Sequence, residues 1–220
     1  MTRPPRIALI HALAHSLDPI NTVLARVWPQ AQRMNLLDDS LSADLARTGL
    51  LDAPMTQRFL TLADYAVATG AHAMLFTCSA FGLCIDAVKQ RHATLPVLKP
   101  NEAMIDEAVA LALADRRGGA IGLVASFMPT LHSMPAEFPA TVHVQTALAE
   151  GAMTALDRGD LAAHDEAAAH AAMQLAAAGC GVIALAQFSL ARAALLVAAR
   201  TGLPVLTTPD SAVRRLRALL

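Results

Sequence analysis

Cys78 is the residue whose type and placement best suit acid–base or covalent chemistry. It lies in the segment AHAMLFTCSAFG, directly after the uncharged run from Ala73 to Phe76. Such a run is typical of a strand buried on both faces of a parallel sheet, and a helical pattern from Ala80 to Gln90 follows it. Cys78 is therefore predicted at the carboxyl end of a strand and the amino end of a helix, where open α/β sheets bind ligands.

A cysteine in this position has two interpretations. The start of a helix offers free backbone N–H groups and the positive end of a dipole, which favour both a thiolate and a bound carboxylate. The thiolate is the form of cysteine that acts as a base or nucleophile. The alternative is that Cys78 is a small core residue, as free cysteines often are. Cys84 and Cys180 lie within apolar patterns and are predicted to be core residues.

Polar side chains near the predicted strand ends are further candidates for the site. Thr77 and Ser79 flank Cys78, and each would hold a substrate carboxylate or cap the helix. His11 follows the first predicted strand, where a histidine would position a substrate, act as an acid or lie at the surface. His164 and His170 fall in a long helical pattern and are predicted to be surface residues.

Composition and charge exclude several classes of protein. The 220 residues carry 17 Lys and Arg against 18 Asp and Glu, so no basic face for nucleic acid is expected. Three cysteines without framework spacing argue against a disulfide-stapled secreted fold. No zinc-ligand spacing, G-x-G-x-x-G or phosphate-loop motif occurs, so we expect neither a metal nor a cofactor.

Two apolar stretches resemble membrane or targeting segments but are interpreted otherwise. The N-terminal stretch is short and is interrupted by His11 and His15, so a signal peptide is not predicted and a cytoplasmic protein is expected. The uncharged stretch 171–191 is broken by Gly179 and Gly181, and its hydrophobic period changes from helix to strand. No membrane partner is therefore expected.

The chain consists of two similar halves. Predicted strands are Ile7 to Ile10, Gln32 to Leu37, Ala73 to Phe76, Leu95 to Leu98, Ile121 to Ala125, Thr141 to Gln145, Val182 to Leu185 and Leu203 to Leu206. Predicted helix caps are Asp18, Thr56, Asp160 and Asp210. The tetrapeptide LPVL occurs at Leu95 and again at Leu203. When the two halves are aligned on Gly70 and Gly179, Cys78 corresponds to Gln187. When they are aligned on the two LPVL segments instead, Cys78 corresponds to Ala186.

This repetition predicts an α/β fold of two similar parallel-sheet lobes related by a pseudo-twofold duplication. The first lobe is predicted to span residues 1–99, completed by a C-terminal helix at 207–220, and the second lobe residues 100–206. Two facing strand ends would form a cleft between the lobes, and the active site is expected there.

The chain resembles the aspartate/glutamate racemase superfamily, which includes hydantoin racemase, maleate cis-trans isomerase and arylmalonate decarboxylase. The resemblance covers the whole chain and depends on the duplicated halves, on TCSAFG in the first half and on GCGVIALAQFS in the second. It implies two-base chemistry without a cofactor, with one cysteine from each half. Cys78 matches the first cysteine, but Gln187 stands where the second is expected.

The resemblance also implies contacts to a substrate carboxylate. In the family, hydroxyls and backbone N–H groups just after the first cysteine bind the carboxylate. Ser79 matches such a hydroxyl position, whereas Ala80 has no hydroxyl to offer. The family often has a tyrosine or threonine hydroxyl after the first strand of the second half. Here Ser126 offers a hydroxyl, whereas the side chain of Phe127 cannot donate a hydrogen bond. Phe188 and Ser189 follow Gln187 and complete the candidate substrate-binding set.

The function predicted from these residues is a cofactor-independent isomerase or racemase that acts on a small amino-acid or dicarboxylate substrate through the Cys78 thiolate. One alternative is a single-cysteine decarboxylase or lyase of the same superfamily. The other is a non-catalytic carboxylate-binding protein that has lost the second cysteine. A small carboxylate is the expected partner, and the sequence also leaves room for a homo-oligomer.

Overall fold

The computed structural model describes residues 4–115 and 119–220. Its strands are β1 (Arg6–His11), β2 (Gln32–Leu37), β3 (Ala73–Phe76), β4 (Val97–Leu98), β5 (Ala120–Ala125), β6 (Val144–Leu148), β7 (Cys180–Leu185) and β8 (Val205–Thr207). Its α-helices are α1 (Leu17–Val27), α2 (Ser40–Thr48), α3 (Ala53–Ala68), α4 (Gly82–Arg91), α5 (Glu102–Ala114), α6 (Met128–Ser133), α7 (Ala152–Asp157), α8 (Leu161–Ala177), α9 (Ala194–Thr201) and α10 (Thr208–Leu219). Short 3₁₀ turns occur at Ala14–Ser16, Ser79–Phe81, Met134–Glu137 and Phe188–Ala193.

The strands form two four-stranded parallel sheets with the same order. One sheet runs β2-β1-β3-β4 and the other β6-β5-β7-β8, so the predicted duplicated α/β architecture is confirmed. The chain divides into two compact units. The first lobe, as we use the term below, comprises the described residues up to Glu102 together with Ala212–Leu220, and the second lobe comprises Ala103–Ser211.

Burial explains why the central strands carry no charge. Every residue of β3 and β5 is buried, whereas the first lobe's edge strand β2 is exposed or half-buried throughout. The core of the first lobe is built around Phe59, whose ring lies 5.6 Å from that of Phe76 and 4.9 Å from that of Phe81, centroid to centroid. The second lobe has two core clusters, and one of them is made largely of alanine, with Leu175 and Leu190 among its larger members.

The structure corrects three of the four predicted helix caps. Asp160 caps α8 as predicted, because its carboxylate accepts the N–H of Ala163 at 3.0 Å. The α3 helix begins one turn before Thr56, and Asp52 caps it by accepting the N–H of Met55 at 2.9 Å. The predictions for Asp18 and Asp210 were also wrong, since both lie inside the first turns of their helices, α1 and α10.

Two helices and several strand boundaries also differ from the prediction, and β4 and β8 each begin two residues later than predicted. The helices α2 and α7 were not predicted, because each is short and mixes small residues with only one or two strongly apolar ones. The strand β6 begins three residues later than the predicted Thr141. His164 is completely buried, so its prediction as a surface residue was wrong. No helix among the described residues is long and apolar enough to cross a membrane.

Candidate functional site

The carboxyl end of β3 presents Cys78 as predicted. Cys78 has extended backbone angles (φ −128°, ψ 119°) and directly precedes the 3₁₀ turn Ser79–Phe81 and then α4. All three cysteines are free thiols, but Cys84 and Cys180 are buried among apolar side chains, so their predicted core role is confirmed. Cys78 is half-buried as a residue, whereas the other two cysteines are buried.

The thiol of Cys78 has two hydrogen-bond donors. Burial raises the pKa of this thiol above its ordinary value, and the hydrogen bonds to the sulfur from the backbone N–H of Ala80 and the hydroxyl of Ser42 offset only part of that rise. Both donors would stabilise a thiolate more than a thiol. Ser42 lies in α2, the helix that sequence reasoning missed, so its place beside Cys78 had no sequence signal.

An ion-paired network anchors α2. Arg58 on α3 donates to Asp38 at 2.6 Å and to Asp44 at 2.7 Å, and the Ser40 hydroxyl donates to Asp38 at 2.5 Å. Asp38 is the first residue after β2, and Asp44 lies in α2 two residues beyond Ser42. The guanidinium of Arg58 therefore ties the helix that carries Ser42 to the helix α3.

A narrow space separates Cys78 from the end of β1. Its volume is about 170 Å³ and no part of it is wide enough for a water molecule. The side chains that line it are Ile10, His11, Ala12, Leu41, Phe59, Phe76 and Cys78. Charges in such an apolar, dry space interact more strongly than charges in water.

His11 is the centre of a buried polar network, although it was predicted as a substrate-binding residue. Its exposure is 0%. Its Nδ1 lies 2.9 Å from the Thr77 hydroxyl and 3.3 Å from the Ser16 hydroxyl, and its Nε2 lies 3.0 Å from Oδ1 of Asn35. Burial lowers the pKa of His11, and the hydrogen bond to Asn35 raises it. Both ring nitrogens are therefore occupied by the protein itself.

The tautomer of His11 follows from the neighbouring amides. The Asn21 side-chain N–H donates to the carbonyl of Leu17 at 2.8 Å, which fixes the orientation of this amide. The same nitrogen donates to Oδ1 of Asn35 at 3.0 Å, so that Asn35 oxygen is an acceptor. Since Nε2 of His11 contacts this oxygen, Nε2 must carry a proton.

The two hydroxyls beside Cys78 have different surroundings. Thr77 is buried, and its hydroxyl joins the network of His11 and Ser16. Ser79 is half-buried and is the first residue of the 3₁₀ turn Ser79–Phe81. Of the two, Ser79 is the residue better placed to meet a ligand at the end of β3.

The equivalent position in the second lobe carries Gln187. Gln187 has the same extended backbone (φ −138°, ψ 148°) and also precedes a 3₁₀ turn, Phe188–Ala193. Its Oε1 accepts the backbone N–H of Ser126 at 2.5 Å and the Ser126 hydroxyl at 2.8 Å. The amide of Gln187 thus fastens the end of β7 to the end of β5.

The register of the two sheets decides which residue corresponds to Cys78. The N–H of Thr77 donates to the carbonyl of Ile10, and the N–H of Ala186 donates to the carbonyl of Val124. Thr77 and Ala186 are therefore equivalent, and Cys78 corresponds to Gln187, as the count from the two glycines predicted. The other second-lobe candidates vary in exposure, since Phe127 is 52% exposed, Ser189 is half-buried and Phe188 is buried.

The second lobe contains a buried polar group that the sequence did not reveal. Nδ1 of His164 lies 2.9 Å from the carboxylate of Asp165, which also accepts the side-chain N–H of Arg192 at 2.7 Å. Nε2 of His164 is buried and has no hydrogen-bond partner. Counting from Gly70 and Gly179 places His164 opposite Met55, a core residue of the first lobe.

Comparison with known proteins identifies the fold. No protein-family model matches the chain, and no curated protein matches it by sequence. Among solved structures, glutamate racemase from Bacillus anthracis matches with a TM-score of 0.71 and 13% identity, over 100% of this chain and 82% of that one. Allantoin racemase from Klebsiella pneumoniae matches with a TM-score of 0.73 and 16% identity, over 98% and 87% of the two chains.

Arylmalonate decarboxylase is a third structural relative. It matches with a TM-score of 0.66 and 19% identity, over 98% of this chain and 92% of that one. These similarities extend over 98–100% of this chain and over 82–92% of the three relatives. The chain therefore shares the fold of these racemases and this decarboxylase, which is the fold that the resemblance of the sequence motifs implies.

Proposed function

We propose that this protein is an isomerase or lyase that needs no cofactor and acts on a small carboxylate through the thiolate of Cys78. The observation that carries the proposal is the placement of Cys78 at the carboxyl end of a central strand, with hydrogen bonds to its sulfur from Ala80 and Ser42. The shared fold with racemases and a decarboxylase supports this class of chemistry.

The proposed chemistry begins at the carbon next to the substrate carboxylate. The Cys78 thiolate removes a proton from this carbon, or a protonated Cys78 delivers one after loss of carbon dioxide. Either reaction passes through an enediolate, whose negative charge needs preorganised donors. The hydroxyl and the backbone N–H of Ser79 are the donors that we assign to this charge.

The hydrogen bonds of Gln187 favour chemistry on one face of the carbon, as in a single-cysteine lyase. An amide is neither a base nor an acid near neutral pH, and both of the bonds from Ser126 end on the amide oxygen of Gln187. Racemisation by two bases requires a proton acceptor on each face, and Gln187 does not supply the second. The non-catalytic alternative predicts binding of the carboxylate without any proton exchange.

The deciding experiment is an exchange assay in heavy water. Small dicarboxylates, amino acids, hydantoins and malonates are incubated with the protein and analysed by NMR and chiral chromatography. Deuterium incorporation with retained configuration, or a decarboxylated product as one enantiomer, supports the proposed function. Binding of these compounds without exchange or decarboxylation would instead establish the non-catalytic alternative.

A further inference from the structure

The side-chain amide of Gln187 has a fixed orientation. Its Oε1 accepts the backbone N–H of Ser126 at 2.5 Å and the Ser126 hydroxyl at 2.8 Å. A backbone N–H only donates, so the atom that it meets must be the amide oxygen. A flipped amide would bring N–H donors against each other. The amide nitrogen of Gln187 is therefore left for another acceptor.

This amide nitrogen is an unused hydrogen-bond donor. Within residues 4–115 and 119–220, no group accepts a hydrogen bond from Nε2 of Gln187. The nitrogen is not buried either, because in that part of the chain the buried side-chain atom without a partner is Nε2 of His164. An amide nitrogen carries two protons that can be donated. Gln187 thus presents an accessible donor whose direction is set by Ser126.

The position of this donor is typical of a ligand-binding residue. The strand β7 lies between β5 and β8, and Gln187 follows the carboxyl end of β7 by two residues. Open α/β sheets bind ligands at this edge. The two residues that follow each of the strands β5 and β7 carry no charge, and they are Ser126, Phe127, Ala186 and Gln187. Neither of these strand ends therefore supplies a carboxylate of the protein as the acceptor.

We propose that Gln187 binds the substrate by donating a hydrogen bond from Nε2 to a carboxylate oxygen. A hydrogen bond to a charged acceptor is stronger than one between neutral groups. The two bonds from Ser126 hold the amide before the ligand arrives, so little further side-chain freedom is lost on binding. This assignment rests on the proposed function for the carboxylate class of ligand, and it adds a second-lobe contact to those assigned to Ser79.

The assignment also gives Ser126 a different role from a direct contact with the substrate. Its backbone N–H and its hydroxyl proton are both donated to Gln187. Neither is then available to a substrate carboxylate. Ser126 is a positioning residue, and Gln187 is the residue that touches the ligand.

The first test follows the side-chain amide signals of Gln187 by heteronuclear NMR while malonate or succinate is added. These signals are assigned by their absence from the spectrum of Gln187→Glu. We expect them to move with at least one of the two ligands. The side-chain amide of Gln174, exposed on α8, is the internal control and should not move. Gln187 signals that stay in place in both titrations would overturn the proposal.

The second test removes the donor and keeps the acceptor. In Gln187→Glu, a carboxylate oxygen still accepts both bonds from Ser126, and a second oxygen replaces Nε2. We expect the Kd for malonate and succinate, measured by calorimetry, to rise about tenfold or more. Gln174→Glu makes the same change of charge at an exposed site and should leave the Kd unchanged.

Two further variants separate the lost donor from the added charge. Gln187→Met has neither donor nor charge, and it should also raise the Kd about tenfold. An unchanged Kd in Gln187→Met would overturn the proposal, whatever the result with Gln187→Glu. Ser126→Ala keeps the backbone N–H and should raise the Kd less, and Ser126→Thr, which retains a hydroxyl, should restore it.

These measurements distinguish this assignment from the proposed function. Ligand binding that depends on Gln187, without exchange or decarboxylation of any tested carboxylate, would refute the chemistry at Cys78 and leave the binding residue in place. For a substrate that is turned over, Gln187→Met should raise KM and change kcat little, because the hydrogen bond is made equally before and during the reaction. Turnover that depends on Cys78, with KM unchanged in Gln187→Met, would refute the assignment of Gln187 alone.

Discussion

The ends of β3 and β7 have the same backbone and opposite chemistry. Each strand ends two residues before an extended residue that leads into a 3₁₀ turn, and that residue is Cys78 in the first lobe and Gln187 in the second. Cys78 receives hydrogen bonds at a titratable sulfur, whereas Gln187 uses its oxygen to bind Ser126. The comparison shows that the duplication conserved the strand end as a scaffold, while its side chain decides whether the position reacts or fastens two strands together.

A second difference between the lobes concerns what lies behind each strand end. The first lobe places a closed network of His11, Thr77 and Ser16 next to its cysteine. In the second lobe, the residues equivalent to His11 and Thr77 are Ala125 and Ala186, both apolar and buried. The cysteine and this buried polar network therefore lie together in the first lobe, and the predictions below test this difference between the lobes.

The largest effect is expected for Cys78→Ala. Removing the proposed proton-transfer group should lower exchange or decarboxylation by about 10² to 10⁴-fold, the usual contribution of general acid–base catalysis. Gln187→Ala, the equivalent change in the second lobe, should leave the rate far less affected, since its amide carries no proton. Steady-state kinetics on both variants checks the difference, and circular dichroism controls for the fold.

Cys84→Ala serves as the matched control for the loss of a thiol. Cys84 is buried in the first core and contacts the Thr56 hydroxyl at 3.6 Å, so its change should affect stability and leave the rate unaltered. Full activity in Cys78→Ala would remove the chemical distinction between the two strand ends.

Gln187→Cys should make the second lobe resemble the first. The new thiol stands at the position equivalent to Cys78, and we expect it to add a second proton-transfer group and to produce racemic product. The change also leaves the Ser126 N–H without its acceptor, which costs on the order of 1–3 kcal/mol in the free energy of unfolding. Chiral chromatography of the product checks the first effect, and Gln187→Ser controls for the lost hydrogen bonds. Racemisation by the unaltered protein would contradict the view that only the first lobe's strand end carries a proton-transfer group.

The central strands and the position of Cys78 were predictable because their signals are local. An uncharged run bounded by glycine specifies a buried strand, and β3 agrees with its prediction residue for residue. The neighbours of Cys78 were not predictable, because Ser42 reaches it from a short helix with a weak apolar pattern. His164 is a polar residue on a helix rich in alanine, where the sequence pattern does not mark one face as buried. Only the tertiary packing shows that His164 is buried.

His164→Met should stabilise the second lobe. The buried Nε2 of His164 has no partner, and leaving such a group unsatisfied costs on the order of 1–3 kcal/mol. Methionine already occupies the equivalent place in the first lobe, and Asp165 keeps its ion pair with Arg192 when the imidazole is removed. We expect the free energy of unfolding to rise by about 1 kcal/mol in urea denaturation. Met55→His is the reverse control and should lower the free energy of unfolding. Equal losses of unfolding free energy in both variants would show that the imidazole of His164 has its hydrogen bonds.

The smallest effect is expected for Arg58→Met, and it should depend on pH. In the second lobe, the position equivalent to Arg58 is Ala167, whose side chain cannot form the ion pairs that Arg58 makes with Asp38 and Asp44. Burial by itself raises the pKa of Asp38, but the hydrogen bonds from Ser40 and Arg58 and the charge of Arg58 outweigh it and hold that pKa below its usual value. Hydrogen bonds from Arg47 and Arg58 likewise lower the pKa of Asp44.

The sign of this pH dependence follows from the lowered carboxylate pKa values. A carboxyl with a lower pKa in the folded state stabilises the fold above its unfolded pKa, about 4, and this stabilisation is lost as pH falls through the folded value. Arg58→Met should therefore lower the melting temperature modestly at pH 7, and the difference from the unaltered protein should shrink progressively below pH 4. Arg200→Met, which breaks an exposed pair with Glu166 in the second lobe, should change the melting temperature less at every pH because solvent screens that pair. A difference that persists undiminished in acid would mean that Arg58 stabilises α2 through packing of its alkyl chain instead of through Asp38 and Asp44.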